Sequence, residues 1–296
     1  MADDPYNWDA RVDAWEKVAA TDTFGALRDR VVSEAAPRRS DRVLDLGAGT
    51  GLVTLALAPL AANMTALDIS RRMLERLDAR AAADGVTNVD LVAGDMRSLP
   101  FDDETFDVVV SNYAFHHLDD PGKELSLSEA RRVLVPGGRL VVCDMMFSLS
   151  LQPRDRRLIL YKLRALAARG PAGLLRIVRN AGRVATGRWE RPASPETWAR
   201  LLTERHFADV RIELLKEEAG LATASRPLVS EPAERLRPAG TEYSSANTYA
   251  ATTRASRSVI SSSRLEGHRS GSPSSSNSGS LRNPPDFHIK PRVSRI

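Results

Sequence analysis

Apolar and polar positions change period several times along the chain, and these changes mark out its elements. Trp8, Val12, Trp15 and Val18 recur at helical spacing, which predicts a helix with its bulky groups on one face. A second helix is predicted from about Phe24 to Ala36, stopped by Pro37. From ~41 to ~147, short apolar runs alternate with helical stretches, the pattern of parallel βαβ units. The predicted strands are Arg42–Leu46, Met64–Asp68, Val89–Val92, Phe106–Asn112 and Arg139–Met145. The helices between them include Leu52–Leu60, Arg71–Ala83 and Lys123–Leu134, and Pro136-Gly137-Gly138 is the turn into the fifth strand.

Between ~150 and ~205 the strand pattern vanishes. Leu158, Tyr161, Leu163 and Leu166 predict one amphipathic helix, and Leu174, Leu175, Ile177 and Val178 a second. Ser194-Pro195-Glu196-Thr197-Trp198 reads as an N-cap, a proline at the first helical position and a third helix. Two strands, Asp209–Leu215 and Ala219–Ala224, then close the sheet as a hairpin around Lys216-Glu217-Glu218. After Arg226 the pattern ends. Ser244 to Ser280 holds 14 serines in 37 residues and almost no large apolar side chain, too little to offset chain entropy. The organisation predicted is a helical lid over 1–40, a main domain over 41–227 with a helical substrate-side insertion at 150–205, and a disordered Ser/Arg-rich tail over 228–296.

Charge changes this picture only at the tail. Of the formal +4, residues 226–296 carry +6, leaving −2 for everything before them. The basic balance therefore gives no argument for nucleic-acid binding by the folded part. With 42% hydrophobic residues the chain can bury a sizeable core without disulfides. The single cysteine, Cys143, sits in an apolar run and reads as a core residue in a reducing compartment. The acidic start, MADDPYNWDA, lacks the apolar region of a signal peptide, and no run of ~18 apolar residues offers a membrane span. The expectation is a cytoplasmic protein; oligomeric state is not legible.

The segment Val43-Leu44-Asp45-Leu46-Gly47-Ala48-Gly49-Thr50-Gly51 carries the most chemistry. A strand ends in alternating glycines, which turn tightly and let a ligand approach the backbone, and the next helix points free N–H groups at the same place. A dinucleotide fold needs G-x-G-x-x-G for its pyrophosphate. Here the spacing is G-x-G-x-G, Leu52 follows, and Asp45 stands where it repels a diphosphate but suits an ammonium group. Asp68 ends the second strand, placed to accept ribose hydroxyls. Asp95 follows the third, placed to accept from the adenine amine with Met96 on the ring. Three acids at successive strand tips fit a ligand with an ammonium, a ribose and an adenine but no phosphate, which describes S-adenosylmethionine.

VLDLGAGTG, ALDIS, GDMRSLPFDDETFDVVVSNYAFHHLDD and RRVLVPGGRLVVCD together resemble the ordered motifs of class I methyltransferases, above all the branch with ubiquinone- and menaquinone-pathway enzymes. The resemblance implies a Rossmann-like α/β fold: a seven-stranded, mostly parallel sheet, an antiparallel last strand, helices on both faces and the helical insertion before the last two strands. It places cofactor contacts at Asp45, Gly47, Ala48, Gly49, Gly51, Asp68, Ile69, Asp95, Met96 and Asn112.

Methyl transfer from a sulfonium needs in-line alignment above all, and a base only for a protonated acceptor. His116 and His117, just after the fourth strand, are the candidate bases. Adjacent histidines do not make a metal site without further ligands, so no metal is expected. Ser111-Asn112-Tyr113-Ala114 differs from the Asn/Asp-Pro-Pro-aromatic motif of nucleic-acid amino-methyltransferases, and no specific nucleic acid is expected. The predicted acceptor is a small or lipid-like molecule. Tyr161, Trp189 and Trp198 are candidate walls of its cleft, although aromatics at helical spacing are more often core, and Tyr6 and Trp15 are candidate covers of the cofactor. Two other readings stay open here: a cofactor-binding protein without turnover, and an NAD(P) dehydrogenase, which the glycine spacing and Asp45 disfavour.

Overall fold

The computed structural model describes residues 7–148, 153–185, 190–215 and 218–228. The chain divides after Thr248 into two units, and every described residue lies in the first. The reading of 228–296 as a tail thus falls almost wholly outside the described residues, as do Tyr6 and Trp189.

Seven strands form one sheet: β1 (Arg42–Leu46), β2 (Asn63–Asp68), β3 (Val89–Ala93), β4 (Phe106–Asn112), β5 (Leu134–Met145), β6 (Ala208–Leu214) and β7 (Ala219–Ser225). Their order is β3-β2-β1-β4-β5-β7-β6. β1 to β5 pair in parallel, whereas β7 runs antiparallel to both β5 and β6. This is the Rossmann-like sheet with a reversed last strand that the sequence predicted. β5 begins at Leu134, five residues before the predicted Arg139. Phe106 pairs with Leu134 across a register shift, so the Pro-Gly-Gly turn lies within the ladder as an irregularity.

Because the sheet is buried on both sides, its strands read as near-continuous apolar runs that sort by parity. Leu140 and Val142 face one core while Val141 and Cys143 face the other. The first core is completed by α5 (Asp120–Val133) and α8 (Pro195–Glu204), the second by α2 (Asp22–Ala35) and α3 (Thr54–Leu57). α4 (Arg71–Ala83) packs Leu74 and Leu77 against Ala48 and Ala66. Its start is fixed by Ser70, whose hydroxyl accepts the Met73 N–H. Ser194 caps α8 in the same way, with Pro195 in the first turn.

At the N-terminus a 3-10 turn (Trp8–Arg11) leads into α1 (Val12–Ala19). α1 sets Trp15 beside Gly49 of the loop after β1, while α2 buries Leu27, Val31 and Ala35 in the sheet's core. Between β5 and β6 the chain inserts a helical hairpin, α6 (Pro153–Ala167) and α7 (Pro171–Ala185), followed by α8. Trp198, a candidate cleft wall, is instead buried in the core, edge-on to Phe115 with ring centroids 5.4 Å apart. Its helical spacing reports core packing.

Candidate active site

The glycine loop follows β1 and is bound to the end of β2. The N–H groups of Gly47 and Ala48 both donate to the Leu67 carbonyl, at 2.8 and 3.0 Å. Gly47, Gly49 and Gly51 all take positive φ, 71°, 55° and 86°. Space as well as conformation forbids side chains at two of them. A Cβ on Gly47 would lie 2.5 Å from Ala114 Cβ, and one on Gly51 would lie 2.1 Å from Leu77 Cδ1.

Asp68 at the β2 tip accepts the Gly49 N–H at 2.8 Å through one oxygen and the Ser70 N–H at 2.9 Å through the other. It holds the loop against the strand end while staying at the strand-tip position expected of a ribose ligand. Asp45 is fully buried and accepts the Thr54 hydroxyl at 2.7 Å. Burial pushes its carboxyl up to about 7; the Thr54 hydrogen bond opposes this and the Asp68 charge adds to it. Asp45 therefore bonds across the loop to α3. Asp95 lies just past the β3 end in a bidentate pair with Arg97, whose Nε donates to Oδ1 at 3.0 Å and Nη2 to Oδ2 at 2.6 Å. Burial works to raise its pKa, yet the Arg97 hydrogen bonds prevail and hold it below the ordinary value.

The remaining predicted contacts gather around the same loop. The Cε of Met96 comes within 3.2 Å of the space a Gly47 Cβ would fill. Ala48 is buried and Ile69 partly buried. Asn112, at the β4 tip, is buried with its side-chain oxygen unpartnered. The Trp15 indole nitrogen and the Thr50 hydroxyl are likewise buried without a hydrogen-bond partner among the described residues. The Trp15 nitrogen is 3.1 Å from where a Gly49 Cβ would stand. Buried polar atoms left unmatched cost stability unless a ligand or water meets them, and three of them lie around this loop.

α1 is tied across this site. Asp9 accepts the Ser70 hydroxyl at 2.6 Å, and Arg76 of α4 pairs with Asp13 and Glu16, each at 3.4 Å. Rings continue the enclosure from Trp15 through Phe24, Tyr113, His116 and His117 to Trp8, successive centroids lying 3.9 to 5.7 Å apart. Phe24 and Tyr113 were not singled out from sequence; Tyr113 has a φ of +57°, which no sequence pattern announces.

The two histidines part company here. His116 Nδ1 lies 2.6 Å from Asp144 Oδ1, and its backbone N–H donates to Asp144 Oδ2 at 3.1 Å. Asp144, at the β5 end, also accepts the Met145 N–H. Serving as acceptor throughout, the carboxylate fixes Nδ1 as a protonated ring nitrogen and turns Nε2 away from Asp144. His117 is pushed down to about 2, first by burial and then by the charge of His116, and stays a neutral ring packed on Trp8. Asp144 is the site residue that sequence reading missed. Its signal was available: it is an acid at the tip of an apolar strand, as Asp45, Asp68 and Asp95 are.

The sheet order, reversed β7 and glycine loop at the β1 tip define the class I S-adenosylmethionine-dependent methyltransferase fold. Residues 43–138 match the family model described as a methyltransferase domain. The chain is 43% identical over 122 residues to a demethylmenaquinone methyltransferase from Clavibacter sepedonicus, covering 41% of this chain and 47% of that protein. It is 34% identical over 157 residues to the ubiquinone/menaquinone biosynthesis C-methyltransferase UbiE of a Ruegeria species, covering 52% and 60%. The chain thus spans about half the length of the curated relatives it matches. The crystal structure of YcgJ from Bacillus subtilis superposes with a TM-score of 0.52 at 21% identity, over 69% of this chain and 99% of that one; this likeness concerns the fold alone.

Proposed function

We propose that the chain transfers a methyl group from S-adenosylmethionine to a small or lipid-like acceptor, with His116 as general base. The observation that supports the reading is the group of buried polar atoms unmatched among the described residues, Trp15 Nε1, Thr50 Oγ1 and Asn112 Oδ1, around a positive-φ glycine loop at the β1 tip. No diphosphate fits beside Asp45, whereas an ammonium group is attracted there. Asp68 and Asp95, at the next two strand tips, suit ribose hydroxyls and the adenine amine.

Bound S-adenosylmethionine supplies an activated methyl with its leaving group already attached. The protein's part is to orient the acceptor and to exclude water, which the ring arc from Trp15 to Trp8 serves. Where the acceptor carries a proton, His116 Nε2 takes it, and Asp144 stabilises the imidazolium formed. The names of the relatives put hydroquinone-type acceptors at the head of the panel to be tried.

Calorimetry with S-adenosylhomocysteine and with NADH tests the first part. Binding of the former and not the latter is expected; the reverse rejects the reading. Consumption of labelled S-adenosylmethionine across phenolic, hydroquinone and amine acceptors tests the second. Cofactor binding with no transfer to any of them would leave a binding protein without turnover.

A further inference from the structure

We infer that the α6–α7 hairpin is a docking surface for an anionic lipid bilayer. Six large apolar side chains stand exposed on this one hairpin: Leu160, Tyr161, Leu163, Leu174, Leu175 and Val178. The rest of the described chain, which is several times longer, exposes only five. A concentration of this kind on a protein surface marks an interaction site.

The hairpin's own packing leaves this face uncovered. Gly173 brings α7 so close to α6 that a Cβ there would meet the Leu166 carbonyl oxygen at 1.7 Å. The helices therefore join through Gly173. Leu174, Leu175 and Val178 follow at spacings that put them on one side of α7, away from that contact, at 55%, 64% and 68% exposure.

Charge selects the occupant. Residues 153–185 carry nine Lys/Arg and one acid, a net of +8. Asp155 is held by Ser148, and Lys162 by Glu218 at 2.6 Å. Arg156, Arg157, Arg164, Arg169, Arg176 and Arg179 are exposed and have no acidic partner among the described residues. A second copy of the chain would set +8 against +8. An anionic bilayer instead accepts apolar side chains below its headgroups and arginines at them, the division a basic amphipathic helix makes. Arg176 and Arg179 are next round the helix from the leucines, within reach of headgroups while the leucines insert. The hairpin leaves from the end of β5, so a docked bilayer lies beside the candidate active site and not behind the sheet.

The inference does not require methyl transfer, and its test is independent of turnover. The full chain is sedimented with vesicles of phosphatidylcholine alone and with added phosphatidylglycerol. Binding to the anionic vesicles is expected, weakened by salt, with about tenfold or greater loss on neutral ones. The L174E/L175E/V178E variant is expected to lose about tenfold or more of the binding. Its circular dichroism and S-adenosylhomocysteine affinity serve as the check on folding, since none of the three touches the glycine loop. Substituting Arg176 and Arg179 by Gln gives a second variant that spares the apolar face and is expected to reduce anionic-vesicle binding. Equal binding to both vesicle types, undiminished binding by both variants, or a wild-type dimer in gel filtration that the triple variant abolishes would overturn the inference.

Discussion

Asp144 and His116 meet twice: the carboxylate contacts the ring at Nδ1 over 2.6 Å and accepts the same residue's backbone N–H at 3.1 Å. An amide at 144 has one oxygen for these two donors, so it must turn its NH₂ toward one of them. The ring is then free to take the other tautomer, with Nε2 protonated and its basicity lost. Asp144→Asn is expected to lower kcat about 10²-fold or more with little change in the affinity for S-adenosylhomocysteine. His116→Ala should do the same, whereas His117→Ala should leave the pH profile of kcat in place. A pH profile unchanged in Asp144→Asn would remove the residue from its positioning role.

Asp45 gives the site a proton to lose. Its folded pKa of about 7 lies above the ordinary 3.8, so the neutral carboxyl favours the folded, ligand-free state. That contribution is complete below the unfolded value and is lost as pH rises through about 7. A cation bound nearby draws the pKa down, so S-adenosylhomocysteine binding near neutrality is expected to release protons. Calorimetry in buffers of differing ionisation enthalpy reads this directly; heats that do not vary with buffer would contradict it. Asp45→Asn should abolish the release.

Trp15 offers a buried indole N–H beside Gly49 with no acceptor among the described residues. Trp15→Phe keeps a ring and deletes the donor. Affinity for S-adenosylhomocysteine is expected to fall about tenfold, close to the value of one buried hydrogen bond, with the melting temperature unchanged or raised. An unaltered dissociation constant would place the indole outside the ligand's reach.

Gly51→Ala tests the loop as structure. The substitution forces a Cβ to 2.1 Å from Leu77, a fully buried residue, at a φ of +86°. A loss of roughly 2–4 kcal/mol is expected from overpacking and backbone strain together. Urea denaturation measures it, and a loss below about 1 kcal/mol would mean the loop relaxes freely.

How legible these features were in the sequence depended on how local their causes are. β1, β4 and α4 fall on their predicted bounds because each has a local signal: an apolar run ended by a turn, or Ser70 as cap. α3 shortened from the predicted Leu52–Leu60 to Thr54–Leu57, with a 3-10 turn after it at Pro59. The glycine loop and its acids were visible as spacing. What spacing cannot carry is who bonds to whom across the fold. Asp144 and His116 stand 28 positions apart, and only the pairing of β4 with β5 brings their strand ends together. Trp198 was open to both readings for the same reason, since a helical aromatic looks identical whether it lines a cleft or fills a core.

The reversed strand has a consequence for how the molecule is made. β6 has a single neighbour in the sheet, β7, and β7 follows it in the chain. As the polypeptide emerges, five parallel strands find an edge waiting, but the sixth has none until the seventh has slid in beside β5. Amide protons of both strands should therefore gain protection from exchange at the same moment, behind the others, and until then the growing chain presents β5 as an open border.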